Sequence, residues 1–313
     1  MNTRRAVVSS FLAIASCLPA APALAQQTHI LVVTGVPGDD EHAAKFQKWA
    51  KSFTDSAKKK EAVPEANITL LANKDATKAA VEQAFARLAA KAKPNDTVFI
   101  LLIGHGSFDG QTAAFNLMGP DLTAADYAKL LGAFTTQKIV FVNTASASGA
   151  FLQPLTAPGR VIVTATKTGG ERNETEFPEY FIAAFSDDAA DRDRNGHVSI
   201  AEAFEYAKSK VAQAVQQKGL ILTEHATMND ADEGRLASTV FLSTPTSAAM
   251  LQVDTSDPAI RALVEERDAI EQQIAGLRLR KPSMAEADYN AQMEKLLTEL
   301  ALKTKEIREK AKK

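Results

Sequence analysis

Residues 97–107 read Thr-Val-Phe-Ile-Leu-Leu-Ile-Gly-His-Gly-Ser. From Val98 to Ile103 every side chain is apolar, and no polar residue alternates with them. A short uninterrupted apolar run predicts a strand covered on both faces, as in a parallel sheet. It stops at Gly104-His105-Gly106, so a histidine sits on the turn just past the strand's C-terminal end.

The segments on either side repeat the theme. His29–Thr34, Asn67–Leu71, Lys138–Val142 and Arg160–Thr164 predict further strands, with Thr239–Leu242 as an edge strand. Between them, helical spacing marks a segment carrying Phe46, Trp49, Ala50 and Phe53. The same spacing marks Ala76–Ala92, Asp126–Phe134, Glu176–Phe185 and Ile200–Gln217. Strands alternating with helices give an α/β fold with a mainly parallel sheet flanked by helices. Ligands in such sheets sit beyond the C-terminal strand ends. The loops after His29–Thr34, Thr97–Ile103 and Lys138–Val142 are therefore where chemistry is expected.

The chain has 313 residues, enough to bury a real core, and its charges nearly balance, Lys+Arg 36 against Asp+Glu 38. That balance gives no basic field for nucleic acid. Residues 1–25 carry Arg4-Arg5, an apolar stretch from Ala6 to Ala15 and Ala23-Leu24-Ala25. This is the pattern of an export signal cut after Ala25, and it predicts a periplasmic or secreted protein. The stretch falls short of the roughly 20 apolar residues that cross a bilayer, so no transmembrane segment is expected after cleavage. Arg4-Arg5 also fits a twin-arginine signal, and Ile14–Cys17 a lipoprotein box that would leave a lipidated Cys17. Cys17 is the single cysteine, so the cut at Ala25 leaves a chain without a thiol.

Residues 191–202 read Asp-Arg-Asp-Arg-Asn-Gly-His-Val-Ser-Ile-Ala-Glu. The spacing matches an EF-hand-type Ca²⁺ loop. Asp191, Asp193 and Asn195 would supply side-chain oxygens, His197 its backbone carbonyl, Ser199 a direct or water-mediated contact and Glu202 a bidentate carboxylate. Gly196 permits the turn. The competing reading is an acidic turn that caps a helix without metal. Elsewhere, Thr223-Glu224-His225 and His42 are expected on the polar surface.

Ser243–Asp257 marks a break in composition, dividing an α/β domain over 26–245 from a C-terminal segment over 246–313. Asp257-Pro258 starts one helix, with Ile260, Leu263, Ile270, Ile274 and Leu277 at heptad spacing and Arg267 interrupting. Lys281-Pro282 ends it, and Ser283–Glu286 reads as a capping box for a second, striped by Met293, Leu296, Leu300 and Ile307. The short connection predicts an antiparallel, coiled-coil-like hairpin. It serves either self-association or docking, or it folds back as a plain appendage.

A strand running into Gly104-His105-Gly106-Ser107, then a later strand running into Ala145-Ser146-Ala147-Ser148-Gly149, resembles the legumain-like cysteine peptidases of the caspase fold. The likeness spans about His29 to Phe185. It implies that His105 falls on the family's catalytic histidine and Ser146 on its cysteine nucleophile. Thr144 stands where the family has an acidic residue, and Val36–Glu41 where it has polar and basic pocket residues. Gly106 and the amide at Ser146 would offer N–H groups to an oxyanion. A serine needs a base oriented by a carboxylate, and Asp109 is the nearest acid in sequence. Three readings stand: a catalytically impaired homologue that binds peptide or protein, a hydrolase using a His105/Ser146 dyad, or a structural Ca²⁺-stabilised module. If Ser146 replaced a natural cysteine, cysteine-peptidase chemistry would return.

Overall fold

The computed structural model describes residues 26–231, 235–242, 253, 257–280 and 284–311. The expected signal, Cys17 included, and the expected boundary near 245 lie outside them. In chain order the α/β part runs β1 (Thr28–Thr34), α1 (Asp40–Lys59), β2 (Ile68–Leu71), α2 (Lys78–Lys91) and β3 (Thr97–Ile103). There follow β4 (Gly106–Phe108), β5 (Ala113–Phe115), β6 (Leu122–Thr123), α3 (Ala124–Leu131), β7 (Lys138–Asn143), α4 (Leu152–Leu155) and β8 (Arg160–Thr164). Then come α5 (Phe177–Ala184), α6 (Ile200–Gln217), β9 (Thr227–Asp230) and α7 (Arg235–Thr239).

The six-stranded main sheet is ordered β2-β1-β3-β7-β8-β9. All pairings are parallel except β8 with β9. β3 is central, and from Val98 to Ile103 it is fully buried. Its side chains divide strictly by parity: Phe99, Leu101 and Ile103 join one core with α1, α5 and α6. Val98, Ile100 and Leu102 join a second core with α2 and α3. This is why the sequence shows no alternation there: both faces are apolar interiors. Helix starts follow local chemistry, with Asp39, Thr77 and Thr123 each accepting a backbone N–H at an N-cap.

The edge strand falls elsewhere than expected. Thr239 ends α7, and Phe241 makes only an isolated bridge to Ser199. Val240 and Leu242 are apolar because they plug the α6 side of the core, not because they line a sheet. The true edge, β9, reads Thr-Met-Asn-Asp and is half-buried throughout, so its hydropathy pattern is flat. The small β4-β5-β6 sheet was also hidden by strands of two or three residues. Its one signal was Asp109-Gly110, a turn dipeptide, and Gly110 adopts φ +107°.

The C-terminal segment forms two helices, α8 (Pro258–Arg280) and α9 (Glu286–Lys310), that pack on each other through Ile260, Leu263, Val264 and Ile307. Arg267, the interruption in the heptads, is buried between them and bonds Thr304 Oγ1 at 3.1 Å and Glu271 at 2.8 Å. The expected capping box at Ser283–Glu286 begins outside the described residues. The N-cap is Ala285, whose side chain has no oxygen to offer, and Glu286 is the first helical residue. No helix among the described residues is long and apolar enough to cross a membrane.

Glu224 departs from its expected place on the polar surface. It is buried, and Oε2 accepts the backbone N–H of Glu176 at 2.9 Å, at the start of α5. Its Oε1 is buried without a hydrogen-bond partner. Burial, against the opposing backbone N–H groups of Glu176 and Phe177, pushes the carboxyl up to about 7. A folded-state value above the ordinary 4.5 means the fold favours the protonated acid. The contribution is whole below about pH 4.5 and is lost as pH rises to about 7, amounting to at most ~3 kcal/mol. Glu224→Gln should therefore stabilise the protein more at pH 8 than at pH 5. Urea unfolding at both pH values checks this, and an equal effect at the two would refute it.

Candidate functional site at the ends of three parallel strands

The chain order reverses around β1, which has β2 on one side and β3 on the other. A crevice opens beyond the C-terminal ends at such a switch point. The turns after β1, β3 and β7 meet there, and the crevice is lined by Phe46, Trp49, His105, Ser146, Glu174 and Pro178. The two residues singled out from the sequence motifs therefore do share one crevice.

They share no hydrogen bond. His105 Nε2 donates to the carbonyl of Pro37 at 3.1 Å, across the switch point. Ser146 Oγ donates to the carbonyl of Gly106 at 3.2 Å and receives a long bond from the Gly106 N–H at 3.5 Å. The serine hydroxyl is thus tied to backbone. Gly106 must be glycine for this approach, since a Cβ there would stand 2.3 Å from the Ser146 carbonyl. The amides flanking Ser146 are engaged: Ala145 N donates to Asn143 Oδ1 and Ala147 N to the carbonyl of Glu171. No hydrogen bond among the described residues uses the amide of Ser146. That amide and the Gly106 N–H, held only by the 3.5 Å bond, are the two groups expected from the sequence as oxyanion donors.

The turn after β7 is held rigidly from outside. Ala147 sits in the left-handed region at φ +55°, a conformation costing an L-residue roughly 1–2 kcal/mol. The 2.7 Å bond to Glu171 compensates in part. Ser148 and Gly149 bond Thr166, and a Cβ on Gly149 would lie 2.2 Å from the Lys167 carbonyl carbon. Thr175 Oγ1 donates to the carbonyl of Thr144 at 2.6 Å. Thr144 in turn uses its own hydroxyl on the Leu102 carbonyl at 2.8 Å, a purely structural bond. Residues 165–176 thus clasp the whole 144–149 turn. Glu171 is itself secured by His225, through its backbone N–H at 2.9 Å and its ring at 3.1 Å.

Asp109 does not orient His105. Its Oδ1 accepts the N–H groups of Gln111 and Thr112, closing the β4–β5 turn, and these bonds hold its carboxyl below the usual range. The residue that sequence reasoning placed on the surface, His42, instead packs its ring against His105, with centroids 4.9 Å apart. Both carboxylates near the crevice serve His42. Asp39 bonds its Nδ1 at 2.8 Å, and Glu174 lies 3.5 Å from its Nε2 while also pairing with Lys45. The Asp39 hydrogen bond raises the His42 pKa against the effect of burial, with the charges of Asp39 and Glu174 adding to it. The signal for Asp39 and His42 was their place at the start of α1, directly after a strand end. Nothing in the sequence pointed to Glu174.

The 191–202 loop follows a 3₁₀ turn at Asp188–Ala190 and runs into α6. Ligand atoms of Asp191, Asp193 and Glu202 lie within 4.8 Å of one another. Gly196, at φ +89°, makes the sharp turn, and its N–H donates to Asp191. Asn195 Oδ1 accepts the His197 N–H, and Ser199 Oγ forms a capping box with Glu202. Glu202 Oε1 also accepts the amides of Arg192 and Asp193. The His197 ring packs edge-on to Phe241, 3.8 Å from Glu61, and stays out of the carboxylate group.

No curated protein matches the chain. Among solved structures, a protein from Geobacter sulfurreducens is similar at 12% identity and a TM-score of 0.43, covering 65% of this chain and 92% of its own. The Drosophila initiator caspase Dronc is similar at 10% identity and a TM-score of 0.40, covering 65% of this chain and 79% of its own. The family model of the peptidase C13 family matches residues 61–230, a span that holds β2 to β9 with both His105 and Ser146. That span is more than half of the 313 residues, and the chain belongs to the peptidase C13 family.

Proposed function

We propose that this chain is an exported, catalytically impaired peptidase homologue that binds peptide or protein at the β1–β3–β7 crevice. The observation that carries the proposal is the separate engagement of the two motif residues. Ser146 gives its proton to the Gly106 carbonyl and His105 gives its Nε2 proton to Pro37. A working serine needs a base at its hydroxyl and an acid behind that base. Here the nearby carboxylates are spent on His42 and on the β4–β5 turn. A cysteine in the same position would need less help, because its thiol ionises near pH 8.5. What remains beside the crevice is the Ser146 backbone, next to the largely buried rings of Phe46 and Trp49. The backbone amide suits a peptide carbonyl.

Turnover of a fluorogenic peptide library should be the same for the unmutated protein and Ser146→Ala, and a fluorophosphonate should leave Ser146 unlabelled. A real dyad would instead lose on the order of 10⁴-fold or more in either Ser146→Ala or His105→Ala, since coupled residues act as a unit. Ser146→Ala should cost about 1 kcal/mol of stability, the worth of its bond to Gly106. Ser146→Cys is expected to remain inert, and Ser146 labelling in the unmutated protein would overturn the proposal.

We further propose that the 191–202 loop binds one Ca²⁺ through Asp191, Asp193, Asn195, Ser199 and Glu202, with His197 contributing its carbonyl. The convergence of three carboxylates on a glycine turn supports this. The ion would stiffen the α5–α6 connection, whose Ala190 and Val198 join the core with α1, α5 and α6. At a hundredfold excess over Kd a ligand adds about 2.7 kcal/mol of stability. The melting temperature should therefore rise in calcium relative to chelator, and Glu202→Gln should abolish that rise. Equal melting of the unmutated protein in the two buffers would exclude the site.

A further inference from the structure

The connection between α6 and β9 has neither helix nor strand over residues 220–226. Two adjacent residues of it reach inward. Glu224 is only 7% exposed and holds the Glu176 N–H through Oε2, while Oε1 is buried with no hydrogen-bond partner. His225 holds the Glu171 carboxylate with both its backbone N–H and its ring. Both contacts lead to the turn that carries Ser146. The Glu171 carbonyl accepts the Ala147 N–H, and Thr175, one residue before Glu176, donates to the Thr144 carbonyl. Residues 224 and 225 are thus the outer fastening of the clasp.

The charges around Glu224 make that fastening sensitive to acid. Glu176 and Glu171 face it with like charge. Lys218, at the end of α6, is already paired with Glu176. Tyr180 of α5 is kept protonated by burial and by the carboxylates of Glu176, Glu179 and Glu224. An ionised Glu224 is therefore a buried charge with one oxygen unpaired and two carboxylates nearby, and it gains by moving into water. Its carboxyl, pushed up to about 7 by burial, is neutral in mild acid and ionised at pH 8. Acid also charges the His225 ring opposite Glu171, so the two contacts strengthen together.

We propose that Glu224 and His225 form an acid-closed latch on the crevice. With Glu224 neutral, the pair pins the 165–176 clasp and so fixes the 144–149 turn. When Glu224 ionises, residues 224 and 225 swing out to solvent and that turn loosens. The irregular 220–226 connection can make this movement without breaking a strand pairing or a helix. The latch stands apart from the reading of the crevice as a peptide site, and no ligand enters its test.

Hydrogen exchange of the Ala147 amide in the full chain reads the latch, because that N–H bonds the Glu171 carbonyl. Corrected for the intrinsic pH dependence of exchange, its protection should fall roughly ten- to a hundredfold from pH 5 to pH 8. That is the fall expected for a carboxyl that titrates at an ordinary 4.5 when open and at about 7 when closed. Leu101 of β3 should stay the better protected amide at both pH values, since the latch opens without the sheet. Glu224→Gln, which cannot ionise, should remove most of the fall, and His225→Ala should lower the Ala147 protection at pH 5. Equal protection of Ala147 at the two pH values overturns the proposal. So does a fall that persists in full in Glu224→Gln, or a protection at pH 5 that His225→Ala leaves untouched. Equal protection of Ala147 and Leu101 would mean that the whole domain opens, and it overturns the latch as well.

Discussion

β3 is buried along its length and pairs in parallel on both sides, and the rest of the molecule is arranged by that constraint. A parallel strand between two parallel neighbours cannot be joined to either by a tight turn, so each connection must cross a face as a helix. Two helical layers follow, and with them two separate apolar interiors. The same constraint brings the C-terminal ends of β1, β3 and β7 side by side. His105, Ser146 and the Pro37 carbonyl are neighbours because strand register leaves them nowhere else to go. The site is a by-product of how the core is filled.

Within the crevice, backbone does most of the work that side chains do in an enzyme of the serine type. Ser146 and His105 each bond to a main-chain carbonyl. The turn that carries Ser146 is fixed by amide and hydroxyl bonds to residues 165–176. The turn is therefore preorganised, and Ser146 and His105 share no hydrogen bond. The charged constellation of Asp39, His42, Glu174 and Lys45 sits on the rim and is paired within itself.

Much of this was legible in the chain, for a reason that differs by element. The buried strands announced themselves through unbroken apolar runs, because burial on both faces leaves no room for polar alternation. His105 and Ser146 were found because the motifs that follow two such runs resemble those of legumain-like peptidases. β9 escaped because a half-buried edge strand of Thr-Met-Asn-Asp has no hydropathy signature, and Val240 and Leu242 misled because core plugs look like strands. Glu174 and Glu224 were out of reach for a further reason. Their roles rest on contacts between segments far apart in sequence, as between Lys45 and Glu174 or Glu176 and Glu224. The 191–202 pattern could be read because a cation loop is local, with every candidate ligand within twelve positions.

The bond from His225 to Glu171 spans 54 positions, and Glu171 is what holds Ala147 in its left-handed turn. The turn beside Ser146 is thus completed by a residue that lies near the far end of the α/β sequence, after the 191–202 loop and the whole of α6. A chain emerging N-terminus first, from a ribosome or through a translocation pore, has its central strands well before it has this clasp. Until residue 225 is free to fold back, β1, β3 and β7 can pair while the crevice they frame has no fixed floor. The last tie on this turn is therefore made late in the chain, after the strands that frame the crevice.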